Sequence, residues 1–386
     1  MKKKVVVAMS GGIDSSVAAA LLKTTYPPAT LPLAKGERAP RAGFDVIGVF
    51  MKFWGPIDDG IIGASNRCCS PEAEVRARRV AKILKIPFYI FNFEKEFKKK
   101  IVDYFLAGYK KGITPNPCVV CNKEIKFGLL LEKALALGAD YVATGHYARL
   151  RNTKKYETTK TFSYIRKKFV FRSLLQAKDK EKDQSYFLWM LNQKQLKRIL
   201  FPIGDYTRKE VENLAKKFKL PVLKAKKSVE ICFIPKTIND FLKQYLKTKQ
   251  GRIVDTEGNI LGKHKGLWFY TIGQRKGINL PGGPYFVLDK DLKINLLIVT
   301  KNEKDLYKKE LICENVNWIS GKEQKLPLKI KAKIRYRSRL APATLTKTLN
   351  PKTYNLIFEK SQRAITPGQS AVFYRNKELL GGGIIS

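Results

Sequence analysis

The sequence lacks the features that mark membrane and secreted proteins. It has no run of about twenty apolar residues, so neither a transmembrane helix nor membrane association is expected. Its 6 cysteines are unevenly spaced along 386 residues, unlike the disulfide framework of a small secreted domain, and they indicate a reducing compartment. The first residues are basic and apolar like a signal peptide, but glycines and Asp14 interrupt the apolar stretch. We therefore expect a cytoplasmic protein whose first residues belong to the fold.

Acidic residues are scarce. The chain has 33 Asp and Glu against 75 Lys and Arg, a formal net charge of +42. Such an excess of cations favours a polyanionic partner, because clustered cations gain affinity by releasing counterions from phosphates. The alternative is a lysine-rich surface that is simply solvated. Charge alone does not distinguish RNA, DNA and a membrane surface.

The order of apolar segments predicts an α/β domain followed by two smaller units. Up to about residue 200, short apolar strands alternate with helical patterns, which is typical of a mostly parallel sheet with helices on both faces. The segment Thr24–Gly43 interrupts this pattern with four prolines and is expected to be a surface loop. Residues 206–220 predict an amphipathic helix, and the segments after Gly251 predict two small antiparallel β domains, the last a β-barrel. The expected domains are 1–205, 206–303 and 304–386.

A glycine-rich loop follows the first predicted strand. In "AMSGGIDSS" (8–16), two glycines permit close backbone approach to an anion, while a helix N-terminus and three serines supply donors. The loop lacks both the Gly-Lys-Ser/Thr ending of a Walker loop and the three-glycine spacing of a dinucleotide fold. It predicts a phosphate-binding cradle of another kind. A tight turn with a serine cap is the structural alternative.

Two other segments lie at predicted strand ends. Ligands of open parallel sheets bind beyond the carboxyl ends of the strands, and both Met51 and the segment Thr144–Tyr147 are at such ends. With the glycine loop they would form one nucleotide pocket. The alternative for His146, one of 2 histidines, is a surface residue without a role.

The stretch "TPNPCVVCNKEIKFG" (114–128) carries Cys118 and Cys121 before an amphipathic run. Asn122 is a good N-cap, which predicts that Cys121 lies at the N-terminal end of a helix. The helix dipole, Lys123 and Lys126 would then favour the thiolate, the form a sulfur nucleophile needs. Cys232 lies in the apolar stretch "EICFIP", where a cysteine is by default a small core residue.

Three kinds of cysteine chemistry can be compared. A zinc site needs four ligands, and no second Cys-x-x-Cys or histidine pair is present. A thioredoxin-like pair would lie beside an early strand of a small domain, a context that is absent. An iron–sulfur cluster held by Cys118, Cys121 and Cys232, with one open iron, stays open as a hypothesis.

Taken together, these segments resemble the tRNA-specific 2-thiouridylase family of PP-loop ATP pyrophosphatases. The motifs "SGGIDSS", "TPNPCVVCNKEIKFG", "ATGHYAR", "KDQSYFLW", "EICFIP", "LGKHKGLWFYTIGQRKGI" and "TPGQSAVFY" follow the family order over nearly the whole chain. The resemblance implies ATP-dependent 2-thiolation of the wobble uridine in tRNAs for Lys, Glu and Gln. ATP with Mg²⁺ would adenylate the uracil C2 oxygen, and sulfur from a persulfide-carrying relay protein would replace it. It further implies a tRNA-binding enzyme, which we expect to be a monomer.

The resemblance also assigns roles to residues. Cys121 would be the nucleophile and Cys232 the persulfide carrier, joined transiently as a disulfide. Asp14 would help to position Mg²⁺ and pyrophosphate, although a solvent-facing carboxylate is the alternative. Basic residues within 95–100, 216–227 and 329–339 would follow the tRNA backbone. The matching positions are Ala8, Met9, Ser10, Gly11, Gly12, Ile13, Asp14, Ser15, Met51 and Gly145 for ATP; Asn116, Pro117 and Cys118 for the target base; and His146, Lys182, Asp183, Gln184, Arg335, Tyr336 and Gln369 for tRNA.

The chain departs from the family pattern at Cys118, where many members have aspartate. This substitution creates the Cys-x-x-Cys pair and adds support to the hypothesis of a [4Fe-4S] cluster, because related cluster-dependent thiolases use such a pair with a distant cysteine. The persulfide–disulfide route stays the main prediction. Two further hypotheses are another PP-loop adenylating enzyme, which would not need Cys121 or Cys232, and a non-catalytic RNA-binding protein. The pair Cys68 and Cys69 has no assigned role, and burial is the default expectation.

Overall fold

The computed structural model describes residues 2–24, 43–55, 57–58, 61–62, 69–158, 166–223, 231–350 and 352–386. Most of the expected surface loop Thr24–Gly43 therefore lies outside the described residues. Cys68 and residues 224–227 of the second basic segment lie outside them as well.

The first part of the chain forms a parallel sheet, as predicted. Its strand order is β5-β2-β1-β6-β9, and all four pairings are parallel. The run Val5–Val7 is buried on both faces, which explains its continuous β-branched sequence. The elements of this part are β1 Lys4–Ala8, α1 Ile13–Lys23, β2 Asp45–Lys52, β3 Ile57–Asp58, β4 Ile61–Ile62, α2 Pro71–Leu84, β5 Phe88–Asn92, α3 Glu94–Phe97, α4 Asp103–Lys110, α5 Pro117–Cys121, α6 Leu130–Ala136, β6 Tyr141–Ala143, β7 Ala148–Thr158, β8 Arg166–Gln176, α7 Gln193–Leu196 and β9 Ile199–Leu200.

Two π-helical segments join consecutive helices in this part. Lys98–Val102 connects α3 to α4, and Asn122–Leu129 connects α5 to α6. The helical backbone that carries the cysteine pair thus runs without a break from Pro117 to Ala136.

The amphipathic helix predicted at 206–220 is confirmed as α8 Arg208–Lys217. The side chain of Thr207 accepts from the Glu210 amide and the Glu210 side chain accepts from the Thr207 amide, a capping box that fixes where the helix begins. Val211 and Ala215, four residues apart, are buried. The elements that follow are α9 Ile238–Tyr245, β10 Gly251–Val254, β11 Ile260–His264, β12 Phe286–Asp291 and β13 Leu296–Thr300.

The sheet of this second part corrects one expectation. Its order is β11-β10-β13-β12, and β10 pairs with β13 in parallel, so the sheet is mixed and not purely antiparallel. The two strands are separated by a long connection that holds β11 and β12, which a parallel pairing requires.

The last part is a closed barrel, as predicted. Six strands follow the order β14-β17-β16-β15-β18-β19, and the pairing of β14 with β19 closes the ring. The barrel strands are β14 Tyr307–Trp318, β15 Leu328–Lys333, β16 Ala341–Lys347, β17 Thr353–Arg363, β18 Ser370–Arg375 and β19 Glu378–Ile385.

The hairpin of β7 and β8 ties the first part of the chain to the barrel. Strand β8 pairs with β19 through Leu175 and Glu378, so the hairpin extends the barrel sheet. A hydrophobic cluster fills the junction with Tyr186 and Trp189 from the first part and Tyr374 from the barrel. Among the described residues, no helix is long and apolar enough to cross a membrane.

Candidate active site

The glycine loop connects β1 to α1 at the carboxyl edge of the parallel sheet. Gly11 has φ of +69°, and a Cβ there would lie 2.1 Å from the carbonyl oxygen of Ala73, so only glycine fits. The Ser10 amide donates to Ser15 Oγ at 3.1 Å, which curls the loop around the helix start. Gly12 caps α1 without a side-chain hydrogen bond. The amides of the first helical turn therefore suit an anion.

The carboxyl ends of β2 and β6 flank that of β1, because both strands pair with β1 in parallel. Gly145, just after β6, packs against the loop so closely that a Cβ would lie 2.5 Å from the Ser15 amide nitrogen. Met51, near the end of β2, packs on the core of the same sheet. The arrangement places two neighbouring strand ends around the glycine loop, which is where open α/β sheets bind ligands.

Asp14, in the first turn of α1, is held by two residues that the sequence interpretation did not single out. Tyr147 Oη donates to Asp14 Oδ1 at 2.8 Å, and Arg208 Nη1 donates to the same oxygen at 2.9 Å. Burial raises the pKa of Asp14 above its ordinary 3.8, and Arg208 and Tyr147 offset part of this rise. Burial, with the adjacent Asp14, raises the pKa of Tyr147, so this phenol stays protonated and donates. No sequence signal marked Arg208, which is 194 residues from Asp14.

The helix with the cysteine pair begins earlier than predicted. Asn116, not Asn122, is the N-cap: its side chain accepts from the Val119 amide at 3.4 Å. Pro117 occupies the first helical turn, a position that proline favours, and this was the missed signal. Cys118 therefore lies in the first turn and Cys121 in the second, where the helix dipole is weaker. Asn122 is buried inside the helix and donates to the carbonyl oxygen of Phe187 at 3.1 Å.

Cys121 and Cys232 belong to the same hydrophobic core. Cys121 is 7% exposed, and Cys232 is a half-buried residue packed against that core. The neighbour of Cys232, Phe233, has its ring 5.4 Å from Phe105 on α4. The Tyr104 hydroxyl, on the same helix, bonds the backbone of Asn116 at the start of α5. One short chain of contacts thus links the two cysteine segments.

The described cysteines, Cys69, Cys118, Cys121, Cys232 and Cys313, form no disulfide in this structure. Within the described ranges, no group of three or more His, Cys, Asp or Glu is arranged to hold a metal ion. Cys69 is buried, as expected by default, and its thiol lies 3.3 Å from the Phe53 amide nitrogen.

The barrel contacts the segment that precedes the cysteines. Gln369 Nε2 donates to the Thr114 carbonyl oxygen at 2.8 Å, and the Thr114 amide donates to the Pro367 carbonyl oxygen at 2.9 Å. Tyr336 lies against Phe187 with ring centroids 4.5 Å apart. Arg335 donates to the backbone carbonyls of Arg363 and Ala364. Gln369 therefore contacts the segment that precedes the cysteine helix, and Tyr336 packs against Phe187, whose carbonyl oxygen accepts from Asn122 of that helix.

The remaining predicted tRNA contacts differ in exposure. His146 is 8% exposed between Phe127 and Phe201, so it is not a surface histidine. Burial, with Lys126 nearby, lowers its pKa well below 6.5. Asp183 is 3% exposed and accepts from the Ala177 and Ser185 amides, whereas Lys182 is exposed.

A glycine loop at the carboxyl edge of an open parallel sheet, without a Walker lysine, defines an adenine-nucleotide-binding α/β protein of the HUP class. The matching family models carry these descriptions: "tRNA methyl transferase HUP domain" at residues 3–31 and 35–236, "tRNA methyl transferase PRC-barrel domain" at 239–301, and "Aminomethyltransferase beta-barrel domain" at 308–385.

Curated relatives match over the full length. The tRNA-specific 2-thiouridylase MnmA of Clostridioides difficile is 45% identical over 389 residues, covering 100% of this chain and 98% of the relative. The MnmA of Clostridium perfringens and MnmA 2 of a Thermoanaerobacter species are each 44% identical over 391 residues, with the same coverage. The chain belongs to the MnmA family of tRNA-specific 2-thiouridylases.

Proposed function

We propose that this protein is an ATP-dependent tRNA sulfurtransferase that replaces the C2 oxygen of the wobble uridine of tRNAs for Lys, Glu and Gln with sulfur. The observation that carries the proposal is the full-length match to relatives named as tRNA-specific 2-thiouridylases. The glycine loop and the cysteine helix support it, since the chemistry needs both an adenylating site and a thiol.

The first step is adenylation. The uracil C2 oxygen attacks the α-phosphorus of ATP, and pyrophosphate leaves. The residues that would hold the nucleotide are those of the glycine loop, with Met51 and Gly145 beside it. The Asp14 carboxylate and the phosphate oxygens suit Mg²⁺, which binds one or two carboxylates together with substrate phosphates. When bound, the ion would neutralise phosphate charge; the chain's own contribution is the set of amides that faces the phosphates.

The second step transfers sulfur. The terminal sulfur of a Cys232 persulfide attacks C2, and AMP leaves with the original oxygen. The Cys121 thiolate then attacks the inner sulfur of Cys232, which breaks the sulfur–sulfur bond and leaves the thiocarbonyl on the base. The persulfide sulfur gains two electrons and the two cysteines lose them as a disulfide, which a thiol reductant resets. The shared core of Cys121 and Cys232 supports this pairing.

The iron–sulfur alternative would use Cys118, Cys121 and Cys232 as ligands. Among the described residues, these cysteines are not gathered into a group that could hold a metal, so we propose no step through a cluster. Cys118→Asp, which restores the residue that many family members have, separates the two routes. The persulfide route predicts that activity survives this change, whereas the cluster route predicts its loss together with bound iron.

The remaining assignments are parts of the same proposal. The enzyme acts as a monomer in the cytoplasm, where a persulfide-carrying relay protein loads Cys232. Asn116, Pro117 and Cys118 meet the target base, and the exposed lysines of 95–100 and 329–333 follow the anticodon arm. The wobble base leaves the anticodon stack to reach the site.

The decisive experiment compares cysteine variants in a reconstituted reaction of ATP, tRNA and a persulfide donor. We expect Cys121→Ser and Cys232→Ser to lose 2-thiouridine formation while pyrophosphate release in the presence of tRNA persists. Cys313→Ala, in the buried barrel core, is the matched control and keeps full activity. Thiolation that survives Cys232→Ser would disprove the persulfide assignment.

A further inference from the structure

We propose that Tyr147 and Arg208 are positioning residues that couple tRNA binding at the segment 178–184 to ATP binding at the glycine loop, with Asp14 as the shared partner. The inference rests on the proposed function, because Lys182, Asp183 and Gln184 of that segment are the expected tRNA contacts. It adds two residues and a thermodynamic link to the adenylation step.

The first observation concerns the loop side of the link. Tyr147 and Arg208 donate to one and the same oxygen of Asp14, at 2.8 and 2.9 Å. Asp14 belongs to the first turn of α1, whose backbone is in contact with Gly145. The Asp14 carboxylate therefore lies in the turn whose amides would bind an entering triphosphate, and its position determines the local charge that the triphosphate meets.

The second observation concerns the other side of the link. The Tyr147 amide donates to Gln184 Oε1 at 3.0 Å, and the Gln184 amide donates back to the Tyr147 carbonyl oxygen at 2.8 Å. The Arg208 amide donates to Asp179 Oδ2 at 2.9 Å. Both donors to Asp14 are thus held, by separate hydrogen bonds, by the same short segment.

Asp179 extends the second route to Lys182. While Oδ2 of Asp179 accepts from Arg208, Oδ1 accepts from the Lys182 amide at 3.1 Å. The Lys178 ammonium adds a pair with Glu210 of α8 at 2.7 Å. The segment and the start of α8 therefore form one hydrogen-bonded unit, which carries the Arg208 guanidinium.

Charge explains why RNA would act through this unit. Lys182 is exposed and its charge acts on the Asp14 carboxyl group, so an RNA phosphate that neutralises Lys182 changes the electrostatics at Asp14. RNA bound to the segment holds Tyr147 and Arg208 in this arrangement, and ATP then meets a loop whose Asp14 is already positioned. Binding free energies couple reciprocally, so ATP must tighten tRNA by the same factor as tRNA tightens ATP. The consequence is that ATP binds tightly only when the tRNA to be modified is also bound.

The experiment measures this factor directly. The dissociation constant of a non-hydrolysable ATP analogue with a methylene α,β-bridge is determined with and without an unmodified tRNA transcript, and the reverse titration determines the constant for tRNA. We expect a factor of about 5 to 150 in the wild-type chain, the usual size of coupling between sites. Tyr147→Phe, which removes only the hydroxyl, and Arg208→Met should each bring the factor close to one, and Arg208→Lys should restore part of it.

Matched controls separate coupling from general damage. Tyr354→Phe removes a tyrosine hydroxyl that donates to Glu323 at 2.7 Å in the barrel, and Arg78→Met removes an i,i+4 pair with Glu74 like that of Arg208 with Glu212. Both controls should keep the wild-type factor.

Two results would overturn the inference while leaving the proposed function intact. One is a wild-type chain that forms 2-thiouridine but shows a coupling factor of one between the ATP analogue and tRNA. The other is an unchanged factor in both Tyr147→Phe and Arg208→Met. Failure of the wild-type chain to thiolate tRNA at all would instead count against the proposed function.

Discussion

Gly145→Ala is the sharpest test of how the nucleotide site is built. The added methyl group would lie 2.5 Å from the Ser15 amide nitrogen and 2.6 Å from the Asp14 carbonyl carbon. These neighbours are backbone atoms, so the clash cannot be relieved by the rotation of a side chain. Ordinary contact begins near 3.4 Å, and the loop must therefore move away from β6 by about 1 Å.

The magnitude follows from that displacement. A misplacement of about 1 Å at a reacting centre costs about a hundredfold in rate. We therefore expect kcat/KM for ATP in tRNA thiolation to fall about a hundredfold. The free energy of unfolding should fall by only about 1–3 kcal/mol, the usual cost of overpacking a well-packed site.

The assay measures 2-thiouridine formation against ATP concentration, with thermal melting of each variant in parallel. Gly138→Ala is the control, because Gly138 has φ of +79° and nothing within 4 Å of an added Cβ. That change costs about 1–2 kcal/mol of backbone strain without moving the loop. If Gly145→Ala kept the wild-type kcat/KM for ATP, the glycine loop would not be the nucleotide site that we describe.

Two further predictions concern titratable groups. Since burial raises the pKa of Asp14 above 3.8, the native state loses stability as pH rises from 3.8 through the raised value. Asp14→Asn should therefore melt above the wild type at pH 7 and level with it below 3.8, while losing activity; a lower melting temperature at pH 7 would contradict this reasoning. Burial raises the pKa of the Cys313 thiol far above its ordinary 9.0, so an alkylating reagent should modify it only after unfolding, whereas the half-buried Cys118 reacts in the native protein. Mass spectrometry of the alkylated peptides checks this order, and rapid native modification of Cys313 would contradict it.

The parallel sheet and the barrel were predictable because they depend on local patterns. Runs such as Val5–Val7, separated by helical periodicities, leave few alternatives to a parallel sheet. The start of the cysteine helix was missed because two asparagines compete as caps, and the proline after Asn116 decides between them. The parallel pairing of β10 with β13 was missed because alternating strands show the same pattern whichever neighbour they pair with.

Only those parts of the candidate site that lie within sequence motifs could be predicted. The glycine loop and the cysteines stand out by residue type, and Gly145 by its position after a strand. Arg208 and Asp14 are separated by 194 positions in the sequence, and no pattern in the local sequence of α8 predicts their contact. The domain boundaries at 205/206 and 303/304 and the roles of the individual site residues stay predictions.

The pairing of Leu175 with Glu378 can form during synthesis only after the barrel has been translated. At a synthesis rate of about 5–20 residues per second, the ribosome needs about 10–40 s to make the roughly 200 residues between the two strands. During that interval Tyr186 and Trp189 lack their contact with the cluster residue Tyr374, which has not yet been synthesised. The first part of the chain therefore completes this hydrophobic cluster only after the barrel has been translated, and a chain truncated before the barrel would leave Tyr186 and Trp189 exposed to chaperones and to aggregation.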